Sequence, residues 1–235
     1  PGRAVLFDKA VASLRNAPEG YDIRARLFAD VPSYPTDLTF IASASFGPPA
    51  ATGMFELSGL ALGEPINTAA PAHWRLGDAP ELDADISLLS GRIKAGLSGA
   101  GDDTRLIFDA TGIDLSPVLA LFETTTNRTR MEGHGDLRVF GSAPSGTIHI
   151  VAASDVPGLD SSFMMNLDGT LTRSGLSVDL RSDYGGRLIL TGTSLVPVTT
   201  EAGKLVAPNP TAPLKGEASL TGDLAVLRTA ALAFG

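Results

Sequence analysis

Leu82-Asp83-Ala84-Asp85-Ile86-Ser87-Leu88 changes character at every step, with apolar side chains at 82, 84, 86 and 88 and polar ones between them. A strand points successive side chains to opposite faces, so this stretch is dry on one side and wet on the other, as in an antiparallel sheet with one solvated face. The same period of two recurs at Ile23–Leu27, Ile93–Leu97 and Leu176–Leu180. About thirteen strands can be counted this way, and at about 4.8 Å per strand they predict a sheet on the order of 60 Å long. The expected fold is mainly β, an elongated curled antiparallel sheet of repeated units with short helices.

Turn chemistry gives a first register. A two-residue Ser90-Gly91 loop predicts Leu88 opposite Ile93 and Ile86 opposite Ala95. Tyr184-Gly185-Gly186 reads as a three-residue loop that brings Leu180 opposite Leu190. The segments Pro71–Pro80 and Ala202–Pro213 carry Pro, Asn and Gly without periodicity and read as loops.

A helical signal also recurs, roughly every 110 residues. Phe7, Ala10, Val11 and Leu14 form the first copy, Leu115, Val118, Leu119 and Phe122 the second, and Leu224, Leu227 and Ala231 the third. All have the spacing of one helix face. Ser116 and Pro117 stand as N-cap and first helical residue of the middle copy. The flanks match as well, Asp22-Ile23-Arg24 with Asp136-Leu137-Arg138 and Ile113-Asp114-Leu115 with Gly222-Asp223-Leu224. The organisation expected is one continuous repeat-built segment over 1–235, with approximate units 1–112, 113–222 and a truncated 223–235. The chain opens at Pro1 without Met and stops inside the third helical signal, as a piece of a longer protein would.

Composition narrows the function classes. Hydrophobic residues make up 43% and charged residues 19%, so the chain holds more apolar surface than an ordinary sandwich needs. A net charge of −8 and no Lys/Arg cluster among aromatics argue against nucleic-acid binding. There is no Cys for a disulfide framework or thiolate site. No stretch reads as a signal peptide or membrane helix.

Chemistry-bearing motifs are sparse. There is no nucleophile elbow, no His-Glu-x-x-His, no phosphate loop, and Gly96, Gly99 and Gly101 have the wrong spacing for a dinucleotide loop. His73, His134 and His149 share no ligand spacing, and His149 between Ile148 and Ile150 points to solvent from a strand. Asp83 and Asp85 belong to the wet face of their strand, while Asp102 and Asp103 belong to a turn. Asn127-Arg128-Thr129 fits a glycosylation sequon that arises easily by chance. The expectation is no catalytic residue, no metal and no cofactor.

What remains is the apolar face. Three short helices cannot cover a dozen strands, so the sheet either closes as a sandwich or curls into a trough with an apolar inside. Alternation assigns Ile23, Leu38 and Phe40 to that lining near the N-terminus. In the centre it assigns Leu82, Ile86, Leu88, Ile93, Leu97, Leu106, Phe108, Leu137 and Val139. Toward the C-terminus follow Ile148, Ile150, Leu176, Val178, Leu180, Leu188 and Leu190, with Leu115, Val118, Leu119 and Phe122 as a groove helix. Within Thr104–Ala110, Leu106 and Phe108 should face inward and Ile107 outward with Arg105 and Asp109.

The order of several segments resembles the TamB branch of the AsmA-like bridge proteins, large periplasmic proteins of bacteria with two membranes. The segments are Gly63–Leu76, Leu106–Ala110, Ile113–Leu119, Gly133–Ile150 and Pro213–Leu224. They touch most of the chain from about residue 60 onward. The resemblance implies a taco-shaped sheet curled around an apolar channel for phospholipid. It further implies a periplasmic location, an inner-membrane anchoring helix outside this segment, and an outer-membrane barrel partner of the Omp85/TamA type contacted through other regions. Two other readings stay open, a scaffold for outer-membrane barrel or autotransporter assembly and an extracellular structural β array.

Overall fold

The computed structural model describes residues 9–18, 20–29, 35–47, 50–120, 128–155, 159–201, 205–222 and 228. Its strands are β1 (Lys9–Ala17), β2 (Gly20–Ala29), β3 (Thr36–Gly47), β4 (Ala50–Ala61), β5 (Glu64–Thr68), β6 (Ala72–Leu76), β7 (Glu81–Leu88), β8 (Gly91–Ser98) and β9 (Arg105–Asp114). The one-turn helix α1 (Ser116–Leu119) precedes β10 (Arg128–Arg138), β11 (Ser145–Asp155), β12 (Phe163–Thr172), β13 (Gly175–Tyr184) and β14 (Arg187–Val196). The two-residue strands β15 (Val198–Thr199) and β16 (Ala207–Pro208) pair with each other, and β17 (Lys215–Leu220) follows. No helix among the described residues is long and apolar enough to cross a membrane.

Fifteen strands form one antiparallel sheet whose neighbours follow the chain almost without exception, from β1 at one edge to β14 and β17 at the other. β5 and β6 share one place, each pairing with β4 and β7. The sheet is elongated and curled rather than closed. Directly opposite residues share a face, so one inward row can be followed across the sheet. Trp74, Leu82, Leu97, Leu106, Leu137, Gly146, Leu171, Leu176 and Val196 are successive opposite partners. The apolar side chains of consecutive strands therefore fall on one continuous face.

The other face carries the charges. Asp85, Lys94, Asp109, His134, His149, Asp168 and Asp179 are likewise successive opposite partners. Ion pairs of Arg92 with Asp85 and Arg105 with Asp136 tie neighbouring strands there. Such exposed pairs contribute modestly, but they reinforce the register, since a one-residue slip would turn them into the trough.

Several sequence expectations are corrected. Ala10, Val11 and Leu14 belong to no helix; Lys9–Ala17 pairs with β2 over nine residues, with Leu14 opposite Ile23. Four apolar positions cannot separate the two periods, and the ready-made ladder of β2 outweighs weak local preference. Leu115 rather than Ser116 precedes α1 as its cap residue, and Ser116 is the first helical residue. Ser116 Oγ instead donates to Asp114 and accepts from the Thr129 amide at 3.0 Å, tying α1 to β10. The Pro71–Pro80 stretch contains β6. Phe7, Phe122, Asn127 and the third helical signal at Leu224, Leu227 and Ala231 lie outside the described residues.

The turns differ as well. The β7–β8 turn is Leu89-Ser90, both at positive φ (48° and 60°), the conformation of a two-residue turn whose twist matches its strands. Ile86 therefore faces Ile93, and Ala84 faces Ala95, two residues away from the expected pairing. A slip of two preserves the face, and it lets the Leu89 side chain bury against Ala110 and Ile113. At β13–β14 the turn is Gly185-Gly186, and Leu180 faces Gly192 rather than Leu190. A bulge at Ile189 takes up the difference, because Asp183 pairs with Leu188 while Ser182 pairs with Leu190.

Candidate functional site: an apolar trough with a cavity beside its short helix

Most inward side chains are half-buried rather than buried, as expected of a sheet face that no second layer covers. The side chains make their own floor. The Phe40 and Phe55 rings sit 6.0 Å apart between β3 and β4, and Trp74 lies over Gly53 on the neighbouring strand.

Two local elements cover part of this face. At one end of the strands, Leu137, Val139 and Leu171 are buried together, with Leu97, Leu106, Ile148 and Leu176 packed on them. Val198 of β15 and Val206 beside β16 join the same cluster, and the Val206 amide donates to the Val139 carbonyl at 2.8 Å. At the other end, Leu115 and Val118 of the α1 segment pack on Leu89, Ala110 and Ile113 together with Leu88, Ile93 and Met131.

Beside α1 the trough deepens into a cavity of about 580 Å³. Leu115 and Leu119 form one side, and its floor crosses β10 to β14 through Met131, Ile150, Ala152, Met165, Leu167 and Leu190, with Leu220 at the β17 edge. Phe163 and Ile189 are buried against each other in its wall. Its polar groups are the hydroxyls of Thr129, Ser154 and Ser182. At its rim the Tyr184 ring lies 5.0 Å from Phe163, and its hydroxyl donates to Asp160. That hydrogen bond holds the Asp160 carboxyl below the usual carboxylate range and pushes the Tyr184 hydroxyl up.

Of the residues the sequence assigns to the lining, Ile150, Leu190, Leu115 and Leu119 meet in this cavity. Ile23, Leu38, Phe40, Leu82, Ile86, Phe108, Val178 and Leu180 lie on the same face elsewhere along the sheet, by the pairing of opposite partners. Leu188 does not. It pairs with Asp183 on the polar side and is 50% exposed, while Ile189 takes the inward place. The bulge that causes this has no signature in Arg187-Leu188-Ile189-Leu190, where either parity is apolar.

Sequence reading omitted Phe163, Met165 and Leu167, although their period of two was available, and it missed the three hydroxyls because polar residues on a dry face look like interruptions. The histidines acquire a relationship that linear spacing conceals. His134 faces His149 across β10 and β11, and their Nδ1 atoms lie 2.7 Å from Asp109 and Asp168 respectively. No group of three or more metal-ligating side chains gathers among the described residues.

Comparison with protein-family models, curated proteins and solved structures gives no match to this chain.

Proposed function

We propose that this segment shelters and conducts phospholipid in the periplasm, as a non-enzymatic part of a TamB-like protein anchored in the inner membrane. The observation that carries the reading is the single continuous apolar face, inward across all successive strands from β1 to β14, on a sheet that curls without closing. Carrying two acyl chains through water would expose about thirty methylenes at about 0.8 kcal/mol each, above about 20 kcal/mol in all. A trough that keeps the chains dry while its open side leaves the headgroup in water removes most of that cost.

Movement along such a lining needs no catalytic residue. Consecutive strands present similar apolar rows about 4.8 Å apart, so a chain that leaves one row is already in contact with the next. Half-buried side chains suit passage, because each contact is favourable yet incomplete. The cavity beside α1 is where a chain would be held most fully.

The resemblance to the TamB branch supports the location and an Omp85/TamA-type barrel partner, engaged through regions outside this segment. Native mass spectrometry of the segment purified without detergent tests the reading. Co-purified phospholipid is expected; a lipid-free protein that also fails to take up phospholipid from vesicles would overturn it. A second reading, a scaffold for barrel-protein assembly, draws on the two edge strands β1 and β17, each paired on one side only among the described residues. Capture of an unfolded barrel strand in the absence of lipid would favour it.

A further inference from the structure

Among the described residues, the cavity is lined by one buried hydroxyl that has no hydrogen-bond partner. Ser182 lies on β13 opposite Met165 and Leu190, lines the cavity and is only 6% exposed. The other buried polar side chains among the described residues are all satisfied. Thr36 Oγ1 accepts from the Leu62 amide at 3.1 Å, Thr104 Oγ1 donates to the Gly101 carbonyl at 2.9 Å, and Thr129 and Ser154 bond each other at 2.9 Å. Ser182 has no such partner among the described residues.

A hydroxyl removed from water and left unbonded costs stability, and Ala would pack the position equally well. Water is a poor substitute, since a buried water needs two to four polar partners and the facing side chains here are Met165 and Leu190. The missing acceptor must enter with whatever fills the cavity. An acyl chain brings one acceptor at its head, the ester carbonyl by which it is joined to glycerol. Pure hydrocarbon and alkyl ethers bring no carbonyl.

Resting on the reading of the trough as a lipid site, we propose that Ser182 donates a hydrogen bond to the ester carbonyl of the lipid held beside α1. The cavity then selects acyl esters and fixes how far the chain advances, so that it is a stopping place rather than a uniform sleeve. Ser182 is a specificity-determining residue in this role and does no chemistry.

The test compares a lysophosphatidylcholine with its ether-linked counterpart of equal chain length, titrated into the 235-residue chain and into Ser182→Ala. The wild-type chain should bind the ester about five-fold more tightly, the worth of one hydrogen bond of ordinary strength. Ser182→Ala should bind both lipids alike, at the level of the ether, with an unfolding midpoint equal to or above that of wild type. Equal binding of ester and ether by the wild-type chain, or an ester preference that survives in Ser182→Ala, overturns the role of Ser182 and leaves the trough reading intact. A clear loss of stability in Ser182→Ala also overturns it, because the hydroxyl would then serve the fold. Failure of both lipids to bind overturns the trough reading and this inference with it.

Discussion

The ring of Phe108 lies against Gly135, its opposite partner on β10. A Cβ built on Gly135 would stand 2.2 Å from Phe108 Cε1. Glycine at 135 therefore lets an aromatic ring cover the strand and keeps the trough floor low. Gly135→Ala should cost about 1–3 kcal/mol of unfolding free energy by forcing the ring aside. Combined with Phe108→Leu, the loss should fall short of the sum of the two single changes by at least about 0.5 kcal/mol. Urea unfolding of the four proteins measures it, and strict additivity would mean that the ring and the glycine act independently.

The bulge in β14 makes a second test, since it reverses two adjacent residues of similar size. Ile189 is 8% exposed against Phe163, whereas Leu188 is 50% exposed on the polar side. Ile189→Ala should destabilise by about 2–4 kcal/mol and Leu188→Ala by no more than about 0.5 kcal/mol. The opposite order of unfolding midpoints would restore regular alternation through Leu188 and Leu190.

How far the sequence reveals this molecule follows from what each residue pattern can encode. Alternation in Leu82–Leu88 fixes which side chains share a face, because that property survives any slip of two residues. It does not fix partners, so the Leu89-Ser90 turn and the pairing of Ile86 with Ile93 come only from the folded chain. Val118 and Leu119 were legible as a helix because Pro117 starts one, whereas the signal around Ala10 and Leu14 had no such support and yielded to pairing with β2. Ser182 is invisible to pattern reading, since its meaning depends on the apolar neighbours brought by β12 and β14.

Acid should weaken the polar face in a defined direction. Arg26 places Nε and Nη2 at 2.7 and 2.6 Å from the two oxygens of Asp37, and Arg92 grips Asp85 in the same two-pronged way. These hydrogen bonds hold both carboxyls below the usual carboxylate range. A carboxyl whose pKa is lower in the folded state adds stability that is present above its unfolded value of about 4 and is lost as pH falls through the folded value. The pairs are exposed, so the effect is small. The double change Asp37→Asn with Asp85→Asn should lower the urea midpoint slightly at pH 7, and the difference should vanish at strongly acid pH. A difference that persists unchanged in acid would assign the loss to packing instead.

The most direct test of the lipid trough uses two neighbouring methionines that differ in face but little in exposure. Met165 faces Ala152 and Ser182 and lines the cavity, while Met164 faces Ala153 and Asp183 on the polar side; they are 44% and 39% exposed. A photo-cross-linking residue is placed at either position in cells, and the purified protein is analysed for attached lipid. The expected result is phospholipid bound covalently at 165 and none at 164. Equal labelling at the two positions, or no lipid at 165 in a folded protein, would contradict a trough that holds acyl chains.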